Sequence, residues 1–116
     1  MEIKDLTENI VVVDPSPEPG LNQELAKTID IIRERGESCD VIIDFSGVDI
    51  VTSSSLSKLL KLRKLLMDCD RILILCSVSR ATKGIFSVTA LDSVFKIVLN
   101  QHDAVEEIKK QQPTMS

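Results

Sequence analysis

The stretch Val51–Ser57 reads Val-Thr-Ser-Ser-Ser-Leu-Ser, and its hydroxyls are the residues best placed for chemistry in this chain. It lies between a segment patterned as strand plus turn and a leucine-rich segment patterned as helix. Serine is a favoured first residue of a helix, because its oxygen accepts one of the unpaired amides there, for about 1 kcal/mol. A helix start also carries a partial positive charge and so tolerates a phosphate of charge about −2 without unfolding. The same hydroxyls therefore suit two roles, a simple cap or a phosphoacceptor whose mark alters only what a partner meets.

Other reactive groups are sparse. Cys39, Cys69 and Cys76 form no Cys-x-x-Cys pair, and Cys76 ends the apolar run Ile-Leu-Ile-Leu-Cys, where a buried, inert thiol is expected. The single histidine, His102, leaves too few ligands for a metal site, and no cofactor is expected. Asp44 and Asp49 flank a turn, where aspartates usually serve as caps rather than as paired catalytic carboxylates. The four glycines fall in neither phosphate-loop nor dinucleotide spacing, and no Gly-x-Ser-x-Gly elbow surrounds the serines. Catalysis has no good candidate, so a non-enzyme is expected.

These residues stand in a chain of 116 residues, enough for one domain with its own core. With 43% hydrophobic and 28% charged residues, the composition is that of a globular protein. A net charge of −4, a pI near 4.9 and the lack of Trp and Tyr argue against direct nucleic-acid binding. No apolar run reaches the roughly 20 residues that span a bilayer, and the acidic start is not an export signal, so a cytoplasmic protein without membrane insertion is expected.

The elements that would position the serines follow from periodicity. Asn9–Pro15 reads as a strand, with Glu2–Lys4 a shorter one before it, and Pro15–Gly20 must be a loop. Leu21, Leu25, Ile29 and Ile32 mark an amphipathic helix to Arg35, with Gly36 as a left-handed cap. Cys39–Phe45 lacks alternation, as a central strand buried on both faces does. A second helix opens at Ser54 or a neighbour and runs to about Asp68, with Leu56, Leu59, Leu60, Leu66 and Met67 on one arc. Arg63 falls inside that arc, while Lys58, Lys61 and Leu65 fall opposite it. A strand at Arg71–Val78, a helix at Arg80–Leu91 with Ile85, Phe86 and Thr89 on one side, a strand at Ser93–Leu99 and a helix at His102–Lys110 complete the order. Residues 111–116 read as a frayed tail. Strand and helix alternate, so the predicted fold is α/β, a mixed, mostly parallel sheet of four to five strands with about four helices packed on it.

The segment Val-Ile-Ile-Asp-Phe-Ser-Gly-Val-Asp-Ile-Val-Thr-Ser-Ser-Ser-Leu resembles the signature region of STAS domains of the bacterial anti-sigma factor antagonist type. Asp44, Phe45, Ser46, Gly47 and Val48 match its first half, and Ser53, Ser54 and Leu56 its second. Thr89, Leu91 and Asp92 follow the family's downstream layout. Thr52 stands where the family usually has Asp, and Ser55 where it has Gly.

The resemblance implies a single STAS domain over residues 1–116 that acts in a partner-switching module. It implies binding to an anti-sigma factor that is also a serine kinase, reversal by a phosphatase, and a monomer or weak homodimer. It makes Ser54 the phosphoacceptor, with Ser53, Ser55 and Thr52 as alternatives. The partner-binding face would comprise Asp49, Thr52, Ser53, Ser54, Ser55, Lys58, Lys61 and Leu65, with Leu65 as its apolar anchor. The family also implies an alternative, a constitutive accessory subunit of a lipid-transport ABC system or a scaffold in a larger sensory assembly.

Overall fold

The computed structural model describes residues 2–7, 9–35 and 39–111. Strand β1 (Glu2–Thr7) pairs antiparallel with β2 (Ile10–Asp14), and helix α1 (Gly20–Arg35) then leads to β3 (Asp40–Asp44). Helix α2 (Ser53–Asp68), strand β4 (Leu73–Cys76), helix α3 (Arg80–Val88), strand β5 (Lys96–Val98) and helix α4 (Gln101–Gln111) follow. The strands lie in one sheet in the order β1-β2-β3-β4-β5, and every pairing after the first is parallel.

Successive strand residues face opposite sides of a sheet, and both sides are covered here. Val11, Val13, Val41, Ile43, Leu73 and Leu75 meet Leu21, Leu25, Ile29 and Ile32 of α1, with α2 and Phe86 beside them. Ile10, Val12, Ile42, Ile74 and Cys76 meet Ala104 and Ile108 of α4. All five positions of β3 and all four of β4 are buried, which is why both read as unalternating apolar runs. Gly36, read as the cap of α1, and the frayed tail lie outside the described residues, apart from Gln111, which ends α4.

Helix α2 sits differently from its sequence reading. Its buried side is Ser55, Leu56, Leu59, Leu62 and Leu66, while Leu60 is 38% and Met67 52% exposed. Leucines occur at 56, 59, 60, 62, 65 and 66, so apolar residues cover much of the circumference and several rotations look alike on a wheel. Packing against the sheet and α1 selects the one that buries Leu62. That rotation also turns Leu65 inward, where it packs half-buried against the core, so it does not stand opposite the apolar side. Arg63 is half-buried at the edge of a surface cleft with Met67 and Arg71, as a long side chain with an apolar stem can be.

The second half of the chain is more broken than predicted. Helix α3 stops at Val88, Thr89 is its C-cap, and Ala90 adopts a left-handed conformation with φ 62°. Thr89 is therefore exposed, its hydroxyl donating to the carbonyl of Ile85 at 2.7 Å. A single 3-10 turn, Leu91–Ser93, follows. Phe95 then turns into the core against Phe86, ring centroids 5.8 Å apart, which leaves only Lys96–Val98 as strand.

Replacing Leu59 with alanine empties a fully buried position and should cost about 2–5 kcal/mol. Leu60→Ala should stay within about 0.5 kcal/mol. Urea unfolding of the two variants checks the rotation of α2; equal losses would contradict it.

Candidate functional site

The serine cluster lies beyond the C-terminal ends of β2 and β3, where two loops meet. The loop from β3 to α2 is anchored by buried Phe45, Val48 and Val51. The amide of Phe45 donates to the carbonyl of Cys76 at 2.9 Å, and that of Val48 to the carbonyl of Phe45 at 2.9 Å. Ser46 and Gly47 form the exposed turn between them. An added Cβ at Gly47 would meet the carbonyl oxygen of Pro15 at 3.4 Å, so the neighbouring loop runs close by.

Asp44 fixes the base of this turn. Its Oδ1 accepts from the amide of Ser46 at 2.9 Å, and its Oδ2 from the side-chain amide of Gln101 on α4 at 2.6 Å. Burial raises the carboxyl's pKa, but the bonds from Gln101, Ser46 and Ser77 outweigh that and hold it below its ordinary value. Asp49 is exposed, and its backbone carbonyl accepts from the hydroxyls of Ser79 at 2.9 Å and Thr82 at 3.1 Å. The two aspartates thus serve different elements, as caps and turn residues do.

The cap of α2 is Thr52. Its backbone is extended (φ −90°, ψ 163°) and its Oγ1 accepts from the amide of Ser55 at 3.1 Å. Ser55 is 0% exposed; its hydroxyl accepts from Thr52 Oγ1 at 3.2 Å and donates to Glu18 Oε2 at 2.6 Å. A buried hydroxyl already committed to two partners is neither an available phosphoacceptor nor a docking residue, and Ser55 leaves both candidate sets. Leu65, half-buried against the core, leaves the docking set with it.

Ser53 and Ser54 are exposed. Ser54 Oγ accepts from the side-chain amide of Asn22 on α1 at 2.6 Å and, more loosely, from Lys58 Nζ at 3.4 Å. Thr52 is exposed too, although its hydroxyl is in use as the cap. Lys61 projects outward from the same helix, Lys58 is half-buried, and Asp49 borders the site. Ile50 stands 56% exposed on the approach to α2; it, and not Leu65, is the apolar residue this face presents.

Three participants escaped the sequence reading: Glu18, Asn22 and Ile50. Glu18 comes from the proline loop, and its Oε2 also accepts from the amide of Thr52 at 2.9 Å while its Oε1 accepts from that of Asn22 at 3.3 Å. Burial raises its pKa, but the donors, led by the Ser55 hydroxyl and the Thr52 amide, prevail and hold it below its ordinary value. The available signal was indirect. Position 52 lacks the family's carboxylate, and Glu18 is the only carboxylate between Pro15 and Gly20.

Away from this site, burial and the nearby Asp44 carboxylate push the Cys76 thiol up to about 11, so it stays protonated. Among the described residues, no helix is long and apolar enough to cross a membrane.

The family model described as STAS domain matches residues 9–104. This chain belongs to the STAS domain family. Its fold superposes on a putative anti-sigma factor antagonist from Thermotoga maritima with a TM-score of 0.80 at 19% identity, covering 93% of each chain. The unphosphorylated anti-sigma factor antagonist SpoIIAA gives a TM-score of 0.76 at 17% identity, over 97% of this chain and 98% of that one. The phosphorylated form of the Bacillus cell fate determinant SpoIIAA gives 0.68 at 18% identity, over 92% and 97%. Curated proteins give no match. Within this STAS domain both departures from the signature have a structural answer. Thr52 supplies the cap with its own oxygen, and Ser55 fits the buried position by passing its hydroxyl to Glu18.

Thr52→Ala removes the cap and should cost about 1 kcal/mol, while Thr52→Ser should cost little, measured by chemical denaturation. A carboxyl whose pKa is lowered on folding stabilises the fold above its unfolded pKa and ceases to do so as acid titrates it. The stability gap between the wild type and Asp44→Asn should therefore be constant above the ordinary Asp value of 3.8 and shrink as the pH drops below it. Urea midpoints measured from neutral pH downward check this; a gap that widens in acid would contradict it.

Proposed function

We propose that this STAS domain is an anti-sigma factor antagonist whose binding to a partner serine kinase is switched by phosphorylation of Ser54. The observation that carries the reading is the setting of that hydroxyl. It is exposed on the first turn of a 16-residue helix, with Asn22 and Lys58 beside it and the helix start behind it. Ser53 is the nearest alternative, being exposed as well. The docking face comprises Asp49, Ile50, Thr52, Ser53, Ser54, Lys58 and Lys61, with Ile50 as its apolar anchor. Exposed apolar residues framed by polar ones are a common mark of a partner surface.

Unphosphorylated, the chain binds the anti-sigma factor and so frees a sigma factor. In the transfer step, Ser54 Oγ attacks the γ-phosphorus of a nucleoside triphosphate held by the partner. The hydroxyl proton passes to a base on that partner, a bond forms from oxygen to phosphorus, and the bond to the departing nucleoside diphosphate breaks. A charge of about −2 then lies in the middle of the interface and ejects the partner. Hydrolysis by a phosphatase restores the hydroxyl. The chain acts in the cytoplasm as binder and substrate, and is not itself an enzyme.

A constitutive accessory subunit is the competing reading, favoured by one observation. The hydroxyls of Thr52, Ser54 and Ser55 are already engaged within the domain. Phosphosite mapping by mass spectrometry, on protein isolated from its native host beside a Ser54→Ala control, decides between them. The switch predicts a phosphate on Ser54 that the control lacks; an unmodified peptide under every growth condition would move the constitutive reading to first place.

A further inference from the structure

The carboxylate of Glu18 and the hydroxyl of Ser54 are held by one residue. Asn22 donates its backbone amide to Glu18 Oε1 at 3.3 Å and its side-chain amide to Ser54 Oγ at 2.6 Å. An anion thus already occupies the start of α2, next to the hydroxyl proposed to receive a second one. The other oxygen of Glu18 takes the Thr52 amide at 2.9 Å and the Ser55 hydroxyl at 2.6 Å.

The positive charge on offer there is limited. The starts of α1 and α2 each supply about half a unit, and Lys58 supplies one more. Unmodified, this exceeds the single charge of Glu18. A phosphate on Ser54 adds about two negative charges, and the balance then turns negative. The phosphate is bonded to α2 and cannot leave, whereas Glu18 belongs to a loop. The donors best placed for the phosphate are those about it: the Asn22 side chain, Lys58 and the helix's own first amides.

We propose that Glu18 is a latch holding the loop between β2 and α1 against the start of α2, and that phosphorylation of Ser54 releases it. This rests on the switch reading above and adds to it, because the mark then changes the shape of the docking face as well as its charge. The moving segment is short. Pro15 is buried and close to Gly47, the amide of Ser16 is fixed by Glu24 Oε1 at 2.9 Å, and α1 begins at Gly20. Pro17 and Pro19 flank Glu18 and restrict the backbone on either side of it, so the release is confined to these three residues and the Glu18 side chain.

The test uses the full chain with phosphoserine installed at position 54 during translation, read by amide hydrogen exchange and two-dimensional NMR. Release of the latch predicts exchange of the Thr52 amide faster by about tenfold or more in the phosphorylated chain, with the Glu18 and Asn22 resonances shifted. It also predicts that unphosphorylated Glu18→Ala exchanges its Thr52 amide as fast as the phosphorylated wild type. The proposal is overturned if phosphorylation leaves Thr52 protected and Glu18 unshifted, or if Glu18→Ala leaves that protection intact. Because the phosphate is installed and no kinase is needed, a failure of Ser54 to be modified in cells would count against the switch and not against the latch.

Discussion

An α-helix leaves its first backbone amides without partners inside the helix, and in this protein that requirement shapes everything around α2. Thr52 answers it from within the loop, its side-chain oxygen accepting the amide of Ser55. Glu18 answers it from another loop, taking the Thr52 amide and the Ser55 hydroxyl. Asn22 then ties α1 to the same place through Ser54. Two loops and two helices are joined at one helix start, and the exposed hydroxyl held there is the one proposed above as the phosphoacceptor.

The core and the site contribute on different scales. Leucines and isoleucines buried on both faces of the sheet each add about 1.5–3 kcal/mol, whereas a hydrogen bond near the surface adds about 1 kcal/mol. The fold therefore stands on β3, β4 and the apolar sides of α1, α2 and α4. The network about Ser54 lies outside that core. The switch proposed above would use that separation, because Ser54 stands on a helix packed into the core while its own bonds, to Asn22 and Lys58, are made at the surface.

How much of this was legible in the sequence depends on how far apart the partners are. The strands β3 and β4 were readable because burial on both faces leaves an unbroken apolar run, and α1 because its four apolar residues recur on a single face. The rotation of α2 was not, since leucines nearly encircle it and only the sheet decides which of them is buried. Ser55 looked like its neighbours until the helix register turned it inward. The contact from Glu18 to Thr52 spans 34 residues, and no periodicity encodes a loop side chain reaching a distant helix start. Leu65 turned inward and Ile50, which carried no signal, proved exposed for the same reason: exposure is set by packing that neighbouring residues do not reveal.

A phosphate at the start of α2, as proposed above, must leave the domain beneath it folded. The most direct measurement is the unfolding free energy, by urea titration, of the chain carrying phosphoserine at 54 beside the unmodified chain. Agreement within about 1 kcal/mol is expected, because the helix end, Lys58 and Asn22 hold the phosphate, and the Ser55 hydroxyl, once Glu18 lets go, can donate instead to Thr52 Oγ1 at 3.2 Å. A loss of about 3 kcal/mol or more would contradict it, since the modified residue would then be damaging the fold rather than changing its surface.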